Sequence, residues 1–90
     1  MYLLESAAQP LKVVIVDDSR LTHMALDTLF SRHNRFAVSG AATSVGECRN
    51  LIRGVRPHLL LCEADIAGEN GLELCSWIRI VSPTTTPVIL

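Results

Sequence analysis

Apolar and polar positions along the chain change their spacing in blocks, and the blocks predict alternating strands and helices. Leu11–Val16 is a short β-branched run, typical of a strand that is buried on both faces of a parallel sheet. Ser19 follows as a candidate helix N-cap. The apolar positions after it recur at three- and four-residue spacing, which predicts an amphipathic helix: Leu21, Met24, Ala25, Thr28 and Leu29.

A second strand and a second helix follow, and the helix again has apolar residues at three- and four-residue spacing. Phe36–Ala41 is a weaker strand candidate. Ser44 and Glu47 form an S-x-x-E capping box, in which each side chain satisfies a backbone donor at the start of a helix. The inward stripe of that helix is predicted to consist of Val45, Cys48, Leu51, Ile52 and Val55.

The last third of the chain repeats the pattern once more. Leu59–Cys62 is a continuous apolar strand that ends at Glu63. Gly68 and Gly71 bracket a predicted loop, and Pro87–Leu90 predicts a further strand. Between them, a third amphipathic helix is indicated by Leu72, Leu74, Cys75, Ile78 and Val81.

This order of elements predicts the fold class. Strands that alternate with helices form a parallel sheet with helices on both faces, joined by right-handed crossovers. The pattern leaves the order of the strands within the sheet open. We expect one α/β domain over residues 11–90, with residues 1–10 as an N-terminal extension.

Composition narrows the class of protein. Of the 90 residues, 49% are hydrophobic and the net charge is −1, which favours a single core and offers no basic face for nucleic acid or an anionic membrane. No apolar run approaches the ~20 residues that span a bilayer. The three cysteines include no C-x-x-C pair, which argues against a disulfide framework or a thiolate zinc site. We expect a cytoplasmic domain that binds neither membranes nor, directly, nucleic acid.

Candidate chemistry lies at the strand ends. In open parallel sheets, sites form beyond the carboxyl ends of the strands. Asp17 and Asp18 follow the first strand, Glu63 follows the third, and Asp65 lies two residues further on. Clustered carboxylates repel one another unless a cation lies among them, and oxygen ligands suit Mg²⁺. Single acids at strand ends are often solvated caps, which is the alternative interpretation.

Three segments together resemble the receiver domain of two-component response regulators, the CheY-like superfamily. They are VVIVDDS, PHLLLCE and AGENGLEL. Pro57, Glu63 and Gly71 fall on the family's pattern of a proline, an apolar strand, an acid and a later glycine. The run GAATSVGE is most similar to receivers that precede a LuxR/NarL-type DNA-binding domain. The resemblance covers residues 11–90 and implies a flavodoxin-like, doubly wound parallel sheet.

The resemblance also implies roles for individual residues. Asp17 and Asp18 match the acidic pair that holds Mg²⁺, and Glu63 matches the phosphate-accepting aspartate. The metal site would therefore comprise Asp17, Asp18, Glu63 and the backbone carbonyl of Asp65. Gly71 matches the loop glycine before the third helix. No catalytic residue is implied, and we expect no enzymatic activity of the chain itself.

The chain departs from the family pattern at three places. Glu63 carries one methylene more than aspartate, which displaces the nucleophile and favours loss of phosphotransfer. Ala67 stands where the family usually has proline. The chain also ends at the predicted fourth strand, so the sheet is expected to be incomplete. The exposed edge of that strand predicts a homo-oligomer, and the alternative is that the chain is a fragment of a longer protein.

These observations predict a phosphorelay signalling module that acts through protein contacts with a sensor kinase or an output domain. If it belongs to a longer protein, it would regulate transcription. The alternatives are a metal-dependent phosphotransfer or hydrolase enzyme and a nonfunctional remnant. Such enzymes commonly place D-x-D after the first strand, whereas Asp17 and Asp18 are adjacent. Arg49, Arg53 and Arg56 indicate a solvated helix face, and Trp77 is expected to cover the sheet.

Overall fold

The fold is an α/β sandwich in a computed structural model that describes residues 9–90. The predicted extension, residues 1–10, therefore lies outside the described residues except for its last two positions. The larger elements, in chain order, are β1 (Leu11–Val16), α1 (Arg20–Ser31), β2 (Phe36–Ala42), α2 (Val45–Val55), β3 (Leu59–Cys62), α3 (Gly71–Val81) and β6 (Thr86–Ile89). Two short strands, β4 (Asp65–Ile66) and β5 (Glu69–Asn70), lie between β3 and α3.

The main sheet has four parallel strands in the order β2-β1-β3-β6. This confirms the predicted flavodoxin-like class and supplies the strand order that the pattern left open. β1 and β3 are neighbours, with Val16 beside Cys62. The chain therefore moves to one side of β1 and then to the other, and a crevice forms where the direction reverses. β4 and β5 form a separate antiparallel pair within the segment predicted to be a loop.

The hydrophobic core occupies both faces of the sheet, because alternate residues of each strand point to opposite sides. On one side, Val13 and Ile15 of β1 and Leu61 of β3 pack against α1. On the other side, α2 and α3 cover Val14 and Val16. The predicted α2 stripe is confirmed: three of its residues are buried and the other two pack against the same cluster.

The predicted face of α1 is wrong. Leu21, Met24 and Leu29 are 75%, 67% and 52% exposed, respectively. The sheet is covered instead by Leu26 and Phe30, and the Phe30 ring meets Phe36 of β2 edge-on with 5.4 Å between centroids. The helix carries apolar residues on two sides, and periodicity alone cannot show which side the sheet takes.

The α3 stripe is correct at its centre and wrong at its ends. Leu74 and Ile78 are fully buried, and Cys75 packs against the same cluster. Leu72 and Val81 are exposed: Leu72 lies two residues before Leu74, on the opposite side of the helix, and Val81 is the last helical residue. No helix within residues 9–90 combines the length and apolar character needed to cross a membrane.

The turn between α3 and β6 is tied to the start of β3 by two buried hydroxyl groups. Thr85 and Ser82 are 4% and 3% exposed. The Thr85 hydroxyl donates to the carbonyl of Pro57 and accepts from the Ser82 hydroxyl at 2.7 Å. These bonds satisfy a carbonyl at the foot of β3 and hold β6 beside that strand.

We expect Thr85→Val to lower the free energy of unfolding by roughly 1–3 kcal/mol, because it leaves a buried carbonyl and a buried hydroxyl without a partner. Urea titration followed by circular dichroism would measure the change. Thr84→Val is the matched control, since Thr84 is exposed. Equal effects of the two substitutions would contradict a structural role for the Thr85 hydroxyl.

Candidate functional site

Three carboxylates meet at the carboxyl ends of β1 and β3. Val16 and Cys62 are neighbours in the sheet, so the residues that follow them emerge at one edge. One carboxylate oxygen each from Asp17, Asp18 and Glu63 lies within 4.8 Å of the others. The structure thus brings together the three acidic side chains that the sequence singled out for this site.

Asp17 is the anchored member of this acidic cluster. It is buried, at 6% exposure, and its Oδ1 accepts from the backbone N–H of Ser19 at 2.8 Å. His23 of α1 places its Nε2 2.7 Å from the Asp17 carbonyl oxygen, so that nitrogen must carry the proton. His23 was missed at the sequence level. The available signal was its place one turn into α1, directly after the strand end.

Glu63 reaches across the crevice toward Asp18. Its Oε1 accepts from the Asp18 backbone N–H over a long distance of 3.4 Å. Partial burial raises the pKa of Glu63, and the carboxylates of Asp18 and Asp17 raise it further, while the bond from the Asp18 N–H acts in the opposite direction. Burial and the two neighbouring carboxylates therefore both disfavour the charged form of Glu63.

The donor set suits a hard divalent cation. All three side chains offer oxygen, and Asp17 is buried, Glu63 half-buried and Asp18 exposed, so water could complete the coordination of Mg²⁺. Asp17, Asp18 and Glu63 would hold the ion, and its positive charge would offset their mutual repulsion. The side chain of Asp65 lies outside this set, because its Oδ1 accepts from the Gly68 N–H at 2.8 Å.

The β4–β5 hairpin closes one side of the acidic cluster. Its turn residues Ala67 and Gly68 both have positive φ, 53° and 84°, as a type I′ hairpin turn requires. The Ala67 N–H donates to Asp18 Oδ2 at 3.2 Å. Proline could adopt neither this φ nor this bond. The alanine at a position where the resembled family usually has proline is therefore what permits the hairpin.

The hairpin also reaches α2 and α3. Glu69 Oε1 accepts from the Val45 N–H at the start of α2 at 3.3 Å. Asn70 caps α3 by accepting from the backbone of Leu72 at 2.8 Å. The β5 strand of the pair is thus bound to the N-termini of two helices. We interpret it as a fixed wall of the crevice.

Gly71 lies where the backbone passes close behind Glu63. It is buried, and its N–H donates to the Ala64 carbonyl at 2.8 Å. A Cβ at this position would collide with the carbonyl oxygen of Glu63 and lie 3.1 Å from that of Ala64. The glycine therefore permits the close approach that joins the acidic strand end to α3.

Residues 13–90 match the family model described as the response regulator receiver domain. The chain belongs to this family. The match includes Asp17, Asp18, Glu63 and Gly71, and it confirms the predicted membership of two-component signalling proteins.

The chain is similar to part of two longer enzymes. The chain is 33% identical over 85 residues to a protein-glutamate methylesterase/protein-glutamine glutaminase of Gluconobacter oxydans, covering 94% of the chain and 24% of that protein. It is 29% identical over 82 residues to a second such enzyme from Saccharophagus degradans, covering 91% of the chain and 23% of the enzyme. The chain thus spans about a quarter of the length of these relatives.

Solved structures agree on the fold. The receiver domain of NarL from Mycobacterium tuberculosis superposes with a TM-score of 0.84 at 21% identity, over 91% of this chain and 66% of that one. A LuxR-family response regulator from Aurantimonas sp. SI85-9A1 gives a TM-score of 0.81 at 24% identity, over 89% of this chain and 57% of that one. At these identities the likeness establishes the architecture alone.

We expect Gly71→Ala to destabilise the receiver by about 1–3 kcal/mol, because a methyl group would be forced against backbone atoms that cannot rotate away. Gly46→Ala in α2 is the control. A Cβ there meets nothing within 4 Å, so it should stabilise the helix by roughly 0.5–1 kcal/mol. Thermal unfolding of both variants would measure the difference. Gly71→Ala with wild-type stability would show that the close approach is not needed.

The raised pKa of Glu63 predicts a pH dependence. Because its pKa is raised, protonation of Glu63 favours the folded state. This contribution to the free energy of unfolding is fully present below the ordinary pKa of 4.5 and is lost as pH rises through the higher pKa of the folded state. Glu63→Gln should therefore raise Tm at pH 7 without metal, and the gain should shrink at about pH 4. Asp27→Asn, on the exposed side of α1, controls for the loss of a negative charge.

Added Mg²⁺ should change the same comparison. At pH 7 the wild type should gain stability as the ion binds, and Glu63→Gln should gain less, because it has lost one anionic ligand. Calorimetry over a Mg²⁺ series would measure both. Equal Tm gains in the two proteins would remove Glu63 from the proposed metal site.

Proposed function

We propose that this receiver signals through protein contacts without accepting phosphate at residue 63. The observation that carries the proposal is the position of Glu63. By resemblance it falls at the phosphoacceptor position of the family, and its Oε1 accepts from the Asp18 backbone N–H. A receiver with glutamate at this position keeps the fold of the family but carries an altered phosphate acceptor.

Geometry is the main argument against phosphotransfer. In-line phosphoryl transfer requires the attacking oxygen to be positioned within a fraction of an ångström, and the extra methylene of glutamate moves it by about 1 Å or more. The Glu63 carboxylate also accepts a backbone bond that competes with alignment for attack. Both effects lower the rate of attack on a phosphodonor.

Metal binding is a separate part of the proposal. Asp17, Asp18 and Glu63 support a Mg²⁺ site, and the Asp65 carbonyl is proposed to complete its protein ligands by resemblance to the family. In the family such an ion stabilises negative charge at the acceptor. Here the ion would instead neutralise the acidic cluster and fix the orientation of Glu63.

The fixed charge of Glu63 gives the domain a constitutive signal. A carboxylate carries a single negative charge, less than the roughly −1.5 to −2 of a phosphoryl group, so it mimics the activated state only in part. The partners of this signal are proposed to be an output domain or a sensor kinase. The domain itself is proposed to have no enzymatic activity, no nucleic-acid contact of its own and a cytoplasmic location.

Transcription is the proposed output. The run GAATSVGE is similar to receivers that precede a LuxR/NarL-type DNA-binding domain, and structural relatives include regulators of that kind. One such relative, RcsB from Salmonella enterica serovar Typhimurium, was solved bound to the promoter rprA, and it superposes with a TM-score of 0.81 at 17% identity over 88% of this chain and 46% of that one. The methylesterase relatives are more similar in sequence. They favour a second candidate, in which the same receiver controls a protein-modifying enzyme.

The decisive experiment treats the wild type and Glu63→Asp with acetyl phosphate and Mg²⁺ and measures intact mass. We expect no phosphoryl adduct on the wild type, because the nucleophile is misplaced. We expect an adduct on Glu63→Asp, which restores the family's acceptor. Asp18→Asn in the Glu63→Asp background should lose the adduct again if the acidic pair holds the metal.

The other outcomes bear on different parts of the proposal. An adduct on the wild type would overturn it, and peptide mapping would then identify the acceptor. The absence of an adduct on both proteins would show that the acidic cluster cannot support phosphotransfer even with aspartate. In that case, the replacement of aspartate by glutamate would not be the only reason that residue 63 is not phosphorylated.

A further inference from the structure

The outer surface of α2, where it meets α3, carries two arginines over one aromatic ring. The guanidinium carbon of Arg49 lies 5.2 Å from the Trp77 ring centroid, and that of Arg53 lies 5.3 Å from it. Trp77 is half-buried and packs against the core cluster, whereas both arginines are exposed. We call these three residues the arginine–tryptophan platform.

Positive charge at the platform is not balanced within α2. Arg49 and Arg53 are four residues apart, a spacing at which like charges repel. Arg56 follows at the C-cap, which adds a third cation in the same region. The acid of this helix, Glu47, binds the backbone and hydroxyl of Thr43 at the opposite end. A chain of net charge −1 thus concentrates cations on one helix face.

A strip of small residues runs beside these arginines. Gly46, Asn50 and Gly54 are four residues apart and exposed, so they form one line along α2. A Cβ on either glycine would meet nothing within 4 Å, and neither glycine has a positive φ. Alanine would suit a helix better at both positions. Packing within the described chain therefore gives no reason for glycine, whereas the close approach of another helix does.

We propose that this face of α2 docks an acidic helix of a partner protein. Carboxylates four residues apart on that helix match the spacing of Arg49 and Arg53. A guanidinium group that stacks on an aromatic face keeps its N–H edge free for a bidentate bond to a carboxylate. The glycine strip lets the partner backbone approach, and Trp77 holds both guanidinium groups in place.

Charge distribution favours a short acidic helix over nucleic acid as the occupant. A nucleic-acid backbone presents a long line of phosphates and needs an extended basic surface. Here the basic region is short, with Glu47 near the start of α2 and Glu73 in the first turn of α3. The acidic cluster lies beyond the nearby strand ends. Two or three carboxylates match a basic region of this size.

Trp77 is the only tryptophan of the chain, so its fluorescence reports directly on the platform. The probe is a helical alanine-based peptide with glutamate at every fourth position, titrated at low salt. The matched peptide carries glutamine at the same positions. We expect a saturable change in Trp77 emission with the glutamate peptide and none with the glutamine peptide.

Variants separate docking from a purely structural role. Arg49→Gln and Arg53→Gln should each weaken binding by about tenfold, because each removes a charge-assisted pair. Arg49→Lys should weaken it less, since the charge remains while the planar fork is lost. Gly54→Ala should weaken binding while its Tm stays equal or rises. A structural role alone would not produce that combination.

The proposal fails if the glutamate peptide gives no saturable signal, or if both Arg→Gln variants bind as the wild type does. It also fails if a DNA oligonucleotide binds more tightly than the glutamate peptide and depends on the same arginines, because the platform would then be a phosphate site. Circular dichroism of each variant confirms that the comparison is made between folded proteins. The test is independent of residue 63.

Discussion

The strand β1 is hydrogen-bonded along both edges and buried on both faces. This placement determines where the carboxylates of the acidic cluster lie. Val13, Val14, Ile15 and Val16 are at most 1% exposed. A continuous apolar run of this kind fits only the interior of a sheet. Because β1 cannot slide without moving its side chains into the opposite layer, its end is fixed, and Asp17 is fixed with it. Pairing with β3 then brings Glu63 to the same edge.

Two departures from the family pattern converge on a single residue. Glu63 uses its longer side chain to reach the backbone N–H of Asp18. Ala67 adopts a positive φ that directs its own N–H to the Asp18 carboxylate. Asp18 is thus engaged through its backbone by Glu63 and through its carboxylate by the Ala67 N–H, a bond that proline could not donate. The two departures from the pattern of the resembled family therefore meet at one residue.

Features governed by local periodicity could be predicted from the sequence. The four main strands, the α2 stripe and the acidic side chains at the strand ends follow from alternation and from the rule that parallel strands end at one edge. The face of α1 could not be predicted, because two apolar sides compete and the contacts that Leu26 and Phe30 make with the sheet are not visible in the sequence. The β4–β5 hairpin was missed because its turn depends on a positive φ at Ala67, which alanine rarely adopts.

The central position of β1 has a consequence for how the protein is synthesised. This strand leaves the ribosome before either of its neighbours, and both of its pairings are parallel and require a helical crossover. Until β2 and β3 have been translated, a β-branched apolar segment has no native partner and is open to aggregation. Lys12 and the Asp17–Asp18 pair flank that segment with charge. The same carboxylates that form the candidate site can therefore act as gatekeepers that keep the nascent chain soluble.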